Sequence, residues 1–127
     1  MEGGSVSKSL VVLEISGKFK IHCELKRHLS PSLVGNIMRS LPIEGTIHLL
    51  GTSGVYVETG IESGGVRSKR EFKKGDIAFL SVGHAICFFY SDTKTGKELT
   101  PIGKIIKGIE SLTNLKSGDK ISICYVG

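Results

Sequence analysis

"PIGKIIKGIESLTNL", residues 101–115, joins the pattern of a strand to the pattern of a helix. Its first half is a short apolar run of the kind that forms a buried strand. Gly108 then interrupts the run, and Ile109, Leu112 and Leu115 recur at every third position, as one face of a short helix would. Because glycine permits a sharp corner, the stretch predicts a strand that turns directly into a helix packed on the same sheet.

Seven further segments have the pattern of β-strands, either alternating apolar and polar residues or short apolar runs. The eight predicted strands lie in residues 9–15, 18–25, 43–50, 55–59, 75–80, 85–90, 101–106 and 117–126. Seventeen glycines, nearly twice the usual share of about 7%, predict many turns between them. A Gly-Asp pair precedes a strand at 75–76 and again at 118–119, which we interpret as a turn device. The segments 64–76 and 91–100 are polar and are expected to be loops.

One longer helix is predicted in "SPSLVGNIMRSLP", residues 30–42. Ser30 is suited to the N-cap, Pro31 to the first helical position and Pro42 to a stop. Apolar residues follow at spacings of three and four and form one face. Together these elements predict one mainly β domain over residues 1–127, with residues 1–8 flexible. Its predicted architecture is a closed eight-stranded β-barrel with two short helices capping the ends.

Composition and charge narrow the classes of function. The formal net charge is +5, and 39% of the residues are hydrophobic, which is ordinary for a globular protein. No apolar run approaches the roughly 18 residues of a membrane span. No secretory signal is visible, so a cytoplasmic protein is expected. Cys23, Cys87 and Cys124 lack metal-ligand or redox spacing and are predicted to be buried free thiols.

Two segments resemble a known family. "CFFY" is similar to the cyclophilin strand that carries two adjacent phenylalanines, and "GKIIKGIESLTNL" is similar to the cyclophilin C-terminal strand and helix. More specifically, "GDIAFLSVGHAICFFY" with "TPIGKIIKGIESL" resembles the cyclophilin-like family of small uncharacterised prokaryotic proteins. The resemblance implies the same closed barrel, with a ligand cleft at the position where cyclophilins hold proline.

The residues that cyclophilins use for prolyl isomerisation are mostly missing. Phe89 matches a pocket phenylalanine, but Cys87 stands where the family has glutamine and Leu99 where it has histidine. The strand containing His48 offers no arginine, and the chain has no tryptophan. We therefore predict a peptide- or small-ligand-binding module that lacks efficient prolyl isomerase activity. The candidate cleft residues are His48, Tyr56, Glu58, His84 and Phe89.

Two alternatives remain open on the sequence. The first is a peptidyl-prolyl cis-trans isomerase whose arginine is displaced to Arg67 or Arg70. The second, weaker alternative is nucleic-acid binding through the basic loop 64–76, although its single aromatic residue, Phe72, argues against nucleic acid. The cations of this loop are Arg67, Lys69, Arg70, Lys73 and Lys74.

No other partner or cofactor is indicated. The four histidines are scattered without metal-ligand spacing, so no metal site is predicted. No phosphate-binding glycine motif occurs, so no cofactor is predicted either. The sequence indicates no membrane partner and leaves the oligomeric state open.

Overall fold

A computed structural model of the protein describes residues 8–62 and 67–126. These residues form ten strands, one α-helix and one 3-10 helix, so the protein is mainly β as predicted. In chain order the elements are β1 (Lys8–Ile15), β2 (Phe19–Lys26), α1 (Pro31–Ser40), β3 (Ile43–Thr46), β4 (His48–Leu50), β5 (Gly54–Glu58), β6 (Lys69–Phe72), β7 (Asp76–Leu80), β8 (Ala85–Phe89), β9 (Thr93–Lys107), the 3-10 helix (Ile109–Asn114) and β10 (Lys120–Tyr125). Within the described residues, no helix is long and apolar enough to cross a membrane.

The strands pair in one long antiparallel path that is not closed by hydrogen bonds. Its order is β3-β10-β1-β2-β9-β7-β8-β5-β4, and β6 pairs with β9 off this path. The prediction of a closed eight-stranded barrel is therefore wrong in two respects. The described residues contain ten strands, and none of their hydrogen-bonded pairings joins the two ends of the path, β3 and β4, into a ring.

Ile47 explains why the path stays open. This residue separates β3 from β4, and β3 pairs with β10 whereas β4 pairs with β5. The Ile47 N–H donates to the carbonyl oxygen of Asp119 at 2.8 Å, and its carbonyl accepts from the N–H of Gly118 at 2.9 Å. At the seam, β3 and β5 meet by packing: a Cβ added to Gly45 would lie 2.8 Å from Cγ2 of Val57. One predicted strand thus becomes two strands with different partners.

The tenth strand comes from the segment predicted to be a basic loop. Residues 69–72 of that segment form β6, and the polar segment predicted as a second loop supplies the first half of β9. Apolar periodicity misses both, because a strand exposed to water needs no buried face to make backbone pairs. Residues 64–66 of the expected loop and residues 1–7 of the expected flexible segment lie outside the described residues.

The main core lies between the inward faces of the strands and the two helices. Leu33, Val34 and Ile37 bring α1 into this core, and Leu112 and Leu115 bring in the segment of the 3-10 helix. Pro31 is the first residue of α1, as predicted. The spacing of three at Ile109, Leu112 and Leu115 matches the three residues per turn of a 3-10 helix, which explains its form. The largest fully buried side chains include Leu13, Ile15, Ile21, Ile47, Ile77, Phe79, Phe88, Ile102 and Ile123.

Two glycines show why the turns and close approaches need this residue type. Ser16 and Gly17, in the turn between β1 and β2, both have positive φ, 51° and 68°, a conformation that glycine adopts without steric cost. Gly103 lies against the backbone of β2, where an added Cβ would overlap the carbonyl oxygen of Glu24. Strand β9 therefore packs against β2 at a distance that only glycine allows at position 103.

Candidate functional site

Strand β6 and the first half of β9 form a two-stranded ribbon, residues 69–72 with 93–99, which we call the β6–β9 ribbon. Lys69 pairs with Leu99 and Glu71 with Lys94, so two steps along β6 correspond to five along β9. The extra residues form a bulge in β9. The hydroxyl of Thr95 in this bulge lies 3.1 Å from the carbonyl oxygen of Arg70 and 2.6 Å from that of Lys97. Next to the Lys69–Leu99 pair, at one end of the ribbon, Ser68 Oγ donates to Glu98 Oε1 at 2.8 Å.

The ribbon is anchored to the sheet by an aromatic stack. Alternation along β8 directs Ile86 and Phe88 into the main core and Cys87 and Phe89 to the opposite face. On that face Phe72 of β6 lies parallel to Phe89, with ring centroids 4.9 Å apart and an interplanar angle of 4°. Both rings are buried. Residues Phe72, Ala78, Cys87, Phe89 and Leu99 thus form a second apolar cluster, the outer cluster.

A carboxylate fixes the turn that leads from the ribbon into β7. Asp76 Oδ2 accepts from the N–H of Lys73 at 2.8 Å, and Asp76 Oδ1 lies 2.7 Å from Lys104 Nζ. Asp119 Oδ2 accepts from the N–H of Lys116 at 2.8 Å in the same geometry, with a glycine of positive φ before each aspartate. This repeated arrangement confirms that the Gly-Asp pairs are turn devices.

An open groove of about 1570 Å³ runs between the β6–β9 ribbon and the end of β2. We call it the basic groove, because seven Lys and Arg residues line it against four carboxylates. Its cationic lining residues are Lys26, Arg67, Lys69, Arg70, Lys73, Lys94 and Lys104, with His28 beside them, and its carboxylates are Glu71, Asp76, Asp92 and Glu98.

Hydrogen bonds already occupy most of these carboxylates. Asp76 is bound as described, Asp92 Oδ1 accepts from the N–H of Lys74 at 2.8 Å, and Glu98 accepts from Ser68. Among the side chains that the structure describes in residues 9–62 and 67–126, two ion pairs form: Lys104 with Asp76, and the exposed pair Lys20 with Glu14. The groove therefore carries an excess of positive charge that its own carboxylates do not neutralise.

The predicted cleft residues lie outside this groove. His48 and Tyr56 face each other across β4 and β5 and stack at 5.1 Å with an interplanar angle of 22°. The register places Tyr56, Glu58 and Phe89 on the same face of the sheet, with Glu58 exposed. Phe89 is 0% exposed, so a ligand reaches it only if side chains of the cluster around it, Phe72 among them, move away.

His84 occupies a turn between β7 and β8. Its φ is +52°, and its Nδ1 lies 3.0 Å from the carbonyl oxygen of Ile61. The His84 carbonyl oxygen accepts from both the N–H and the hydroxyl of Thr59, each at 2.8 Å. These contacts hold residues 59–61 against the turn, which is a structural role.

The arginines considered for isomerase chemistry lie in the basic groove instead of beside Phe89. Arg67 and Arg70 are both exposed and line the groove, to which Phe89 does not contribute. Lys69 also points back to the ribbon, with its Nζ 5.2 Å from the centre of the Phe72 ring. Lys74 of the same segment lies outside the groove lining.

The described residues offer no metal centre, and two of the three cysteines are buried. No group of three His, Cys, Asp or Glu side chains in residues 8–62 and 67–126 is placed to hold a metal ion. Cys23 and Cys87 are buried free thiols as predicted, whereas Cys124 is only half-buried. Burial raises the pKa of both Cys23 and Cys87 to about 12, which keeps them protonated at neutral pH.

Sequence reasoning missed the second wall of the basic groove. Lys94 and Lys104 come from opposite ends of β9, whereas Lys26 ends β2 and His28 lies in the turn that follows. These residues carry no motif in the sequence. Only the fold-back of the β6–β9 ribbon brings them to the cations of residues 67–73.

The comparisons with known proteins agree with this fold. The sequence matches the cyclophilin-like family over residues 10–124. The protein belongs to the cyclophilin-like family. A search of curated proteins gave no significant match.

Two solved structures share the fold of this cyclophilin-like protein. The hypothetical protein AF2241 from Archaeoglobus fulgidus superposes with a TM-score of 0.79 at 23% identity, over 94% of this chain and 96% of that one. McbB, solved in complex with tryptophan, superposes with a TM-score of 0.77 at 13% identity, over 92% of this chain. The chain spans only 45% of the length of McbB. At these identities the two likenesses establish the fold alone.

Proposed function

We propose that this cyclophilin-like protein is a binding module that holds an anionic ligand in the basic groove. The observation that carries the proposal is the uneven charge of the groove, where seven Lys and Arg residues face four carboxylates and three of those already accept hydrogen bonds. Clustered charge of one sign in a cleft concentrates ligands of the opposite sign. A large open groove whose lining residues are mostly charged or polar favours electrostatic recognition over the burial of an apolar ligand.

The same proposal includes the lack of efficient prolyl isomerase activity. An isomerase must place a proline ring in an apolar pocket beside a cation that favours the twisted amide. Phe89 is covered by Phe72, and the candidate cations, Arg67 and Arg70, belong to exposed positions in the groove. A standard proline-peptide isomerisation assay tests this part. We expect no acceleration beyond background, and acceleration that is lost in Arg67→Ala or Arg70→Ala would contradict it.

Anion binding is tested by calorimetric titration with inorganic tripolyphosphate. We expect binding that weakens as salt rises from 0.02 to 0.2 M, values chosen because the Debye length falls to about 8 Å near 0.15 M. The double variant Arg70→Glu/Lys94→Glu reverses two charges in the groove and is expected to weaken binding at least tenfold.

The matched control is Lys18→Glu/Lys120→Glu, which makes the same change of charge at two exposed positions outside the groove. If binding responded only to total charge, both double variants would lose affinity equally. That result, or the absence of binding at 0.02 M salt, would contradict the proposed function.

A further inference from the structure

The basic groove touches every residue of the chain from Arg67 to Lys73. Successive side chains of a strand point to opposite faces, so a groove that contacts all of them runs along the strand's edge as well as across a face. Strand β6 lies within this run and pairs with β9 alone in the described part of the chain. Its second edge therefore has backbone N–H and C=O groups without a strand partner.

This edge is held in place before any ligand arrives. Phe72 is 2% exposed and anchors one end of β6 to Phe89, and Ser68 ties the other end to Glu98. Strand addition to such an edge supplies main-chain hydrogen bonds with little ordering cost on the protein's side. The edge is thus a preorganised template.

The side chains on β6 select what can add to it. Lys69 and Arg70 are exposed and adjacent to Arg67, and positive side chains on an edge discourage pairing with neutral or basic strands. The same cations favour pairing with an acidic strand, because its carboxylates neutralise the unpaired cations of the groove. Charge thus selects acidic strands.

We propose that the groove binds an extended acidic peptide segment, which adds as a strand to the free edge of β6. This inference rests on the proposed function and names its ligand class. Strand β6 itself spans about 13 Å at roughly 3.3 Å per residue, so about four residues of the peptide pair with its edge and the flanking residues lie along the groove between Arg67 and Lys73. A peptide is favoured over a nucleic acid because Phe72 provides the only Phe or Tyr ring in the groove lining, and that ring is buried and already stacked.

Backbone methylation separates strand addition from simple charge attraction. The probe is a fluorescein-labelled octapeptide of alternating Glu and Thr, measured by anisotropy with the full chain. Two further peptides have the same sequence and charge but carry N-methyl groups on either all Thr amides or all Glu amides. Because alternate N–H groups of a strand point to opposite edges, each modified peptide has one blocked edge.

The expected result is that the unmodified peptide binds and that the two methylated peptides differ in affinity by at least tenfold. A smaller difference between the methylated peptides would overturn strand addition. If tripolyphosphate or a single-stranded oligo-dT binds the groove while the unmodified peptide does not, the peptide inference fails and the proposed anion site stands. If none of these ligands binds, both fail.

Discussion

Removal of the Phe72 ring is expected to destabilise the whole protein strongly, although Phe72 lies in a segment whose sequence is typical of a surface loop. The ring is 2% exposed and stacks on Phe89, which is fully buried. Phe→Ala substitutions at buried sites cost about 3–5 kcal/mol, and an aromatic pair contributes about 0.5–1.5 kcal/mol beyond area burial. We expect Phe72→Ala to lower the free energy of unfolding by at least about 3 kcal/mol.

The assay is urea unfolding followed by far-UV circular dichroism. Phe72→Leu retains most of the apolar volume and is expected to lose about half as much stability as Phe72→Ala. Val82→Ala is the matched surface control, because Val82 is 74% exposed, and its effect should stay within about 0.5 kcal/mol. A double-mutant cycle with Phe89→Ala should give a coupling of about 0.5–1.5 kcal/mol. A loss below about 1 kcal/mol in Phe72→Ala would refute the anchoring of the β6–β9 ribbon.

Three further predictions concern single residues. Asp76→Ala removes an ion pair and a hydrogen bond from a backbone N–H, and it should lower the free energy of unfolding in urea by about 1–3 kcal/mol. Asp119→Ala removes only the backbone hydrogen bond and should cost less. Equal losses would contradict the role of the ion pair. Gly103→Ala should cost about 3 kcal/mol or more in the same assay, because the added Cβ overlaps the backbone of β2. Gly96→Ala should be neutral, because no atom lies within 4 Å of the added Cβ. A neutral Gly103→Ala would disprove the close approach of β9 to β2. Burial raises the pKa of Cys87 to about 12, so the stabilising contribution of its protonated thiol is complete below pH 9 and falls by about 1.4 kcal/mol per pH unit up to pH 12. The free energy of unfolding should therefore depend less on pH above 9 in Cys87→Ala than in the unmodified protein. An identical pH dependence of the two proteins would contradict this prediction.

Local patterns predict those parts of this fold in which a side chain has an apolar side to bury. The first hairpin, α1 and the apolar strands β7 and β8 follow from alternation, capping residues and glycine. Whether the barrel closes cannot be predicted from these patterns, because closure depends on which strand pairs with each half of residues 43–50. That choice is made at Ile47, whose backbone groups bind the turn before β10.

The candidate site shows a different limit. The resemblance to a cyclophilin pocket predicts Phe89 as a cleft residue, and His48 and Tyr56 stack on the same side of the sheet. No pattern in the sequence indicates that Phe72 covers Phe89. The two residues belong to separate segments, and Phe72 lies in a segment predicted to be a loop. The cations of residues 67–73 were recognised as a cluster, but Lys94 joins them only through strand pairing across a bulge. Pairing of polar strands leaves no periodic signal.

Amide chemical-shift mapping reports directly whether an anion occupies the basic groove. The 13.6 kDa chain is small enough for ¹⁵N–¹H spectra to be recorded during titration with tripolyphosphate. The account predicts saturable shifts concentrated in residues 67–73, Lys94 and Lys104, with small changes around His48 and Tyr56. Largest shifts outside the groove, or no saturable shift at 0.02 M salt, would contradict it.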